Sequence, residues 1–417
     1  MKILWLGNIV LPRISEELGL QKVFVGGWMV GLSEKIGCDY ENELCYVFDS
    51  KSNIEGKNIF YSYYGVACNP HGSKKLGRDY VDRLKAILLK EKPEVIHIWG
   101  TENQHSLAMV EATKELGMID RVVVSIQGLV SVYSKHYCAY LPESVIHGRT
   151  LKDLVQGNLM KRARIFEEKG AFERETIQAV KHVIGRTDWD KAITWEINPA
   201  VNYHFNNEIL RDEFYSGKWS YDSVEKHSIF VSQAHYPIKG LHLVLDAMTI
   251  LKAHYSDIKL YVGGKNYYNI KPYRQNAYEK YILKKISENS LRDSVIFTGN
   301  LSAEEMKKQY LKCNVFVSAS SIENSPNSVG EAMLLGTPVV SSRVGGVHNM
   351  LIHEKEGYLY PADEPYMLAY YINKVFSQKE NAKIMGDAAQ VHAYHTHNAK
   401  INIEGLLEIY NQIAEGV

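Results

Sequence analysis

The chain reads as an α/β protein of two doubly wound, Rossmann-like domains facing each other across a cleft. Three observations predict this. Its 417 residues exceed one ordinary core and suit two domains of about 200 residues each. Short apolar strand candidates alternate with longer amphipathic stretches throughout, the pattern of parallel sheets joined by crossover helices. The alternation breaks around Asn198–Ser223, polar and aromatic without periodicity, which places the crossing between domains near residue 195.

In the first domain, 1–195, strands are expected at Lys2–Val10, Glu94–Trp99, Val122–Ile126 and His182–Gly185, with helices at Asp79–Lys90 and Gln104–Leu116. The charged stretch Leu151–Lys181 has helical periodicity and no proline. In the second domain, 196–385, strands are expected at Ser228–Ser232, Lys259–Gly263, Val295–Thr298, Asn314–Ala319, Pro338–Ser342 and Gly357–Tyr360. Helices lie between them at Leu241–Ala253, Glu304–Leu311 and Tyr366–Phe376. Residues 386–417 continue a helical stretch with no strand after it, an appendage to the two domains.

Composition narrows the class. Hydrophobic residues at 45% and charged residues at 23% are ordinary for a soluble globular enzyme. Positive and negative charges balance at 48 each, so no net field draws in nucleic acid. The five cysteines are scattered without a Cys-x-x-Cys pair, which argues against a disulfide framework or a structural zinc site and fits reduced thiols. Neither a leader peptide nor a membrane span is legible, so a cytoplasmic protein is expected, with contact limited to a membrane surface. The 28 tyrosines are given no weight.

The densest chemistry lies in Asn314–Gly346, NVFVSASSIENSPNSVGEAMLLGTPVVSSRVGG. A buried strand, a loop, a short helix stopped by Gly336 and a second strand make a βαβ unit whose ligand edge is the carboxyl end of the first strand. Glu323 and Glu331 bracket the start of the helix, with Ser325 as its expected N-cap and Pro326 at its first position. The unpaired N–H groups there attract phosphate, and carboxylates on either side can accept hydroxyls of sugar and ribose. Upstream, Lys239 and Gly240 follow the strand Ser228–Ser232 at the start of a helix. A lysine is repelled by that end of the dipole unless a phosphate is held at the same spot.

Other positions admit two readings. Gly26 and Gly27 open a helix at Trp28, either letting backbone approach a ligand or making a helix-entry turn. Gly264 and Asn300 follow strand ends where a nucleotide base and ribose belong, or are ordinary turns. Glu102 and Asn103 either face an acceptor or cap the next helix. Asp188 and Asp190 either bind a metal or, as the better reading, Asp188 caps a helix. His392, His395 and His397 read as helix-surface histidines rather than a zinc site. Met160–Arg164 (MKRAR) either holds an anionic surface or is a solvated helix face.

The Asn314–Gly346 stretch resembles the Glu-x7-Glu region of the retaining glycosyltransferases of family 4, which have the GT-B fold. Glu323, Pro326, Asn327, Glu331, Ala332, Met333, Gly336, Pro338, Val339 and Val340 fall in matching places. The resemblance implies that Glu323 contacts the donor sugar and Glu331 the ribose diol. Lys239, the amides around Asn327 and Ser328 and, in the family's arrangement, the Gly26-Gly27 loop would stabilise the departing diphosphate. It also implies retention of anomeric configuration, no metal, and no cofactor beyond the nucleotide-sugar co-substrate. The acceptor would be a glycan or lipid-linked hydroxyl, in bacterial surface polysaccharide synthesis. The first domain would take the acceptor and the C-terminal helices would pack back on it. The chain departs from the family at two places: Gln233 stands where an arginine is common and Gln127 where a histidine is common. Arg343 or Arg186 are the candidates to replace the lost charge, and glutamine can hydrogen-bond but not titrate. A sugar-nucleotide epimerase, a phosphorylase and a non-catalytic sugar-nucleotide-binding subunit are the rival readings.

Overall fold

The computed structural model describes residues 1–20, 27–39, 42–68 and 76–416. The chain forms two compact units, both discontinuous in sequence. The first comprises Met1–Val132, Ile165–Ile209 and His397–Val417, and the second Tyr133–Arg164 and Leu210–Thr396.

The sheet of the first unit is built from β1 (Lys2–Gly7), β2 (Glu43–Ser50), β3 (Ile54–Lys57), β4 (Tyr61–Ala67), β5 (Val95–Trp99), β6 (Val122–Ser125), β7 (His182–Gly185) and β8 (Asn202–Phe205). Their order is β3-β4-β2-β1-β5-β6-β7-β8, with β3 alone antiparallel. Successive side chains of a strand point to opposite faces, so both faces are covered. Leu4, Leu6, Ile96, Ile98 and Val124 pack with Leu84, Leu88 and Met109 of the helices Arg78–Glu91 and Gln104–Glu115. Ile3, Trp5 and Val123 pack on the other face with Leu32 and Ile36 of the helix Gly27–Asp39 and with Leu406 and Tyr410 of the helix Ala399–Glu415.

Tyr410 fixes that last helix through a buried relay. Trp5 Nε1 donates to Tyr410 Oη at 2.9 Å, and Tyr410 lies 2.5 Å from His97 Nδ1, whose Nε2 is 2.7 Å from Ser125 Oγ. Burial holds His97 well below the ordinary histidine range, so the ring is neutral. Both ring nitrogens of the neutral His97 are thus engaged, Nδ1 by Tyr410 and Nε2 by Ser125.

The second unit has one six-stranded sheet of β9 (Glu225–Val231), β10 (Lys259–Gly263), β11 (Val295–Gly299), β12 (Cys313–Ser318), β13 (Val339–Ser342) and β14 (Tyr358–Tyr360). Its order is β11-β10-β9-β12-β13-β14, parallel throughout. The order reverses between β9 and β12, which makes their carboxyl ends the place where such a sheet binds ligand. In the first sheet the corresponding reversal lies between β1 and β5.

All ten expected strands are present, with ends shifted by up to three residues, and among the described residues four more join them. The boundary near residue 195 is replaced by one at Ile209/Leu210, because Asn202–Phe205 adds a strand to the first sheet. The 386–417 appendage divides: the helix Lys379–Thr396 belongs to the second unit and Ala399–Glu415 to the first. Leu151–Lys181 is two helices, Leu151–Gln156 and Leu159–Ala179, because Gly157 at φ 89° leaves helical geometry between them. The tyrosines matter after all. Tyr46, Tyr61, Tyr63, Tyr64 and Tyr80 are buried in the first unit, each hydroxyl group a polar end on an apolar body. Tyr46 donates to Ile9 O at 2.7 Å, Tyr80 to Asp49 at 2.6 Å, and Tyr64 to Glu91.

Candidate active site

The carboxyl ends of β9 and β12 carry Lys239 and Glu323. After β9 the chain makes a single 3-10 turn, Pro237–Lys239, and Gly240 starts the helix Leu241–Lys252. Gly240 has φ 68°, and a Cβ there would lie 1.8 Å from the Ala319 carbonyl oxygen. Only glycine allows the two strand ends this close. Ser321 N–H then donates to Ile238 O at 2.8 Å, stitching the turn to the loop that bears Glu323. The same loop is held by Ser321 Oγ donating to His136 O at 3.1 Å and by Asn324 N–H donating to Tyr133 Oη at 3.1 Å. On the far side, Gly345 at φ 50° leaves room for the Glu323 carbonyl, which accepts from Gly346 N–H at 3.1 Å.

Within this frame, Lys239 Nζ reaches Glu323 Oε1 at 2.5 Å and Ser320 Oγ donates to the same oxygen at 2.7 Å. The ammonium also lies 5.9 Å from the centroid of the Tyr236 ring. Burial pushes the lysine toward its neutral form, but the Glu323 carboxylate and Tyr236 outweigh it and raise its pKa above the ordinary value. Lys239 is therefore a fixed cation. Both bonds to Glu323 converge on Oε1, which leaves Oε2 for a ligand hydroxyl.

Glu331 repeats the pattern one helix turn further on. It is buried in the helix Asn327–Leu334, and Arg211 meets its Oε1 twice, from Nε at 2.9 Å and Nη2 at 2.7 Å. Oε2 has only a long 3.4 Å contact from Tyr310 Oη, whose position is also fixed by Ser328 O at 3.1 Å. Burial raises the Glu331 pKa, opposed by Arg211. The helix begins one residue later than expected: Pro326, not Ser325, is the N-cap, and Asn327 is the first helical residue. Val329 N–H donates back to Pro326 O at 2.9 Å, so the N–H groups of Asn327 and Ser328, both half-buried, have no acceptor within the helix. Two carboxylates thus flank two open amides, with a fixed lysine on the side of Glu323.

The remaining expected residues divide by place. Gly264 and Asn300 end β10 and β11, where Gly264 N–H donates to Gly299 O at 2.9 Å. Gln233 and Arg343 are exposed after β9 and β13. Gly26 lies outside the described residues, and Gly27 is the first residue of the helix Gly27–Asp39.

In the first unit, Gln127 follows β6 and its Nε2 donates to Glu208 Oε1 at 2.7 Å. Glu208 Oε2 pairs with Arg186 at 2.5 Å, and Arg186 also donates to Ile126 O at 3.1 Å. Arg186 is therefore committed to this cluster. A cavity of about 20 Å³ lies beside Arg186, Glu208 and Ser125, room for a single water. Glu102 and Asn103 follow β5, at the reversal of the first sheet; Asn103 stands at the N-cap of Gln104–Glu115 but its amide points to Glu102 at 3.1 Å instead of capping. Behind them Glu173 is fully buried and accepts from Val130 N–H at 2.8 Å and Ser131 N–H at 3.1 Å. Burial, reinforced by Glu102, raises it to about 7. Asp188 is not the helix cap: Thr187 is, with Asp190 closing the capping box. His392 pairs with Glu356 and His397 with the Glu208 carbonyl, both at 2.8 Å. Among the described residues, no group of three or more histidines, cysteines or acids is placed to hold a metal, and no helix is long and apolar enough to cross a membrane.

Sequence reasoning missed Arg211, Ser320, Glu208 and Glu173. Arg211 and Glu208 sit in the irregular segment where periodicity fails. Their signal is the apolar pair Ile209-Leu210 between them, which is buried and brings both charges inward.

Residues 213–392 match the family described as glycosyl transferases group 1. An uncharacterised glycosyltransferase of Methanocaldococcus jannaschii is 31% identical over 205 residues, covering 49% of this chain and 45% of the relative. The chain thus aligns with less than half of that relative's length. Among solved structures, sucrose-phosphate synthase from Thermosynechococcus elongatus superposes with a TM-score of 0.74 at 17% identity over 100% of both chains. Anabaena HepE in complex with UDP and glucose superposes with a TM-score of 0.69 at 14% identity over 99% of both chains. These similarities give the fold: GT-B.

Proposed function

We propose, from the match of residues 213–392 to the glycosyl transferases group 1, that the chain is a cytoplasmic, metal-independent glycosyltransferase. It would move a sugar from a UDP- or GDP-sugar to a hydroxyl of a glycan or lipid-linked acceptor with retention of configuration. The observation that carries this reading is the Lys239–Glu323 pair at the reversal of the second sheet, beside the open amides of Asn327 and Ser328.

The donor diphosphate lies over those amides, where the helix dipole and Lys239 meet its charge. Glu323 Oε2 accepts a sugar hydroxyl and Glu331 Oε2 the ribose diol. As the glycosidic bond breaks, negative charge grows on the diphosphate against a cation and dipoles that are already in place, so little reorganisation is needed. The leaving phosphate oxygen takes the acceptor proton on the same face of the sugar, which accounts for retention without a protein nucleophile. Acceptor binding falls to the first unit, with Glu102 and Asn103 at the reversal of its sheet. Surface polysaccharide synthesis with peripheral membrane contact is the setting that suits such an acceptor.

The test is incubation of the purified chain with radiolabelled UDP- and GDP-sugars, without acceptor. Slow release of nucleotide and free sugar is the expected result. An isomerised donor would make the protein an epimerase. Tight binding without turnover would make it a binding subunit, the reading that Gln127 and Gln233 favour.

A further inference from the structure

The helix Leu151–Gln156 is amphipathic the wrong way round. Its charged residues face the protein. Asp153 is buried, closes the capping box with Thr150 and accepts from Ala277 N–H at 2.9 Å. Lys152 pairs with the buried Glu279 at 3.0 Å. Its apolar residues face out: Leu151 is 65% exposed, Leu154 68% and Val155 83%. Spaced i, i+3, i+4, these three form one stripe. Nothing in the folding of the second unit calls for that stripe to be apolar.

A groove of about 690 Å³ runs along this helix, walled by Lys265, Lys271, Tyr273 and Arg274. Lys271 and Arg274 are exposed, and among the described residues neither has an acidic partner at ion-pair distance. Lys265 shares Glu279 with Lys152, so one carboxylate serves two cations. Met160, 45% exposed, and the exposed Lys161 and Arg164 continue the same composition along the chain.

We propose that this face of the second unit is a membrane-docking surface for an anionic lipid bilayer. Leucine and valine enter the headgroup boundary while Lys271 and Arg274 meet lipid phosphates. An apolar stripe beside unpaired cations fits that occupant. A second copy of the chain fits less well, because a two-fold contact would set the cations of one copy against those of the other. The proposal gives a location to the membrane contact in the reading above and rests on that part of it alone; none of the groove residues belongs to the donor site.

Flotation of the full chain with phosphatidylcholine vesicles, with and without phosphatidylglycerol, tests it, alongside calorimetric titration of UDP and GDP. Binding is expected only with phosphatidylglycerol and is expected to fall with added salt. Leu154→Glu/Val155→Glu and Lys271→Glu/Arg274→Glu should each weaken it at least tenfold. Ile384→Glu, equally exposed at 65% but on the helix Lys379–Thr396, should leave it unchanged. Nucleotide affinity should be the same in all variants. Absence of flotation, or equal flotation by all variants, overturns the proposal, and retained nucleotide binding then leaves the donor reading standing. Two other results also overturn it. One is a dimer in solution that Leu154→Glu/Val155→Glu dissolves, which makes the face a contact between copies. The other is binding to a soluble polyanion such as heparin without flotation on phosphatidylglycerol vesicles, which makes the ligand a soluble anionic glycan.

Discussion

Glu323 and Glu208 are both carboxylates paired with a cation beyond the carboxyl end of a strand, Glu323 after the interior β12 and Glu208 after the edge strand β8, and they differ in how their oxygens are spent. Lys239 and Ser320 share Oε1 of Glu323, as the two nitrogens of Arg211 share Oε1 of Glu331. Glu208 gives one oxygen to Gln127 and the other to Arg186, around a cavity with room for a water. A carboxylate held by one oxygen keeps acceptor capacity for a ligand. One held by both is a bracket within its own unit. The second unit thus presents its charges, and the first unit closes them on each other.

Four measurements test that contrast. The largest effect belongs to Glu208→Ala, which strands a buried Arg186. Denaturant unfolding should show a loss of about 3–5 kcal/mol, while nucleotide affinity stays as in the parent. A weakened nucleotide with unchanged stability would move Glu208 into the ligand site. Next, Glu323→Ala should cut donor turnover about 100-fold, the scale for removing one preorganised transition-state contact, with little change in nucleotide binding. Glu331→Ala should reverse that split: calorimetry should show nucleotide binding about tenfold weaker, as for loss of one charged hydrogen bond. If both variants behave like the parent, the open-oxygen distinction is wrong.

The smallest effect is a pH slope. Glu173 is raised from 4.5 to about 7 by burial, so between those values the folded chain keeps a proton that the unfolded chain has lost. Its contribution to stability is full below 4.5 and declines as pH rises toward 7, by at most about 1.4 kcal/mol per pH unit. Glu173→Gln should remove this decline from the pH dependence of unfolding. A slope that persists unchanged would show that the carboxylate is ionised in the fold.

The grouping of Lys239, Glu323 and Glu331 was legible because its spacing is local. Glu323, Pro326 and Glu331 stand at fixed spacing after an apolar strand, and Lys239-Gly240 stand just past another. The partners that tune them were not. Arg211 is 120 positions from Glu331 and Ser320 looks like any loop serine. The strands at Glu43–Ser50 and Tyr61–Ala67 were missed for a different reason. Much of their buried surface is tyrosine, whose ring belongs to a core and whose hydroxyl needs a partner that only the fold supplies, as Glu91 does for Tyr64. The excursion Tyr133–Arg164 into the second unit leaves no mark in composition, since its anchors, Tyr133 to Asn324 and Asp153 to Ala277, are long-range hydrogen bonds.

The alternation of the chain between units has a consequence for synthesis. A ribosome delivers Trp5 and His97 more than 300 residues before Tyr410, yet these three share one buried relay. Throughout that interval the indole and imidazole nitrogens of the first sheet lack the hydroxyl that joins them, and that face of the sheet lacks the helix that covers it. The first unit is therefore completed only after the second, and the nascent protein spends that interval with an uncovered apolar surface, the condition under which chains aggregate or recruit chaperones.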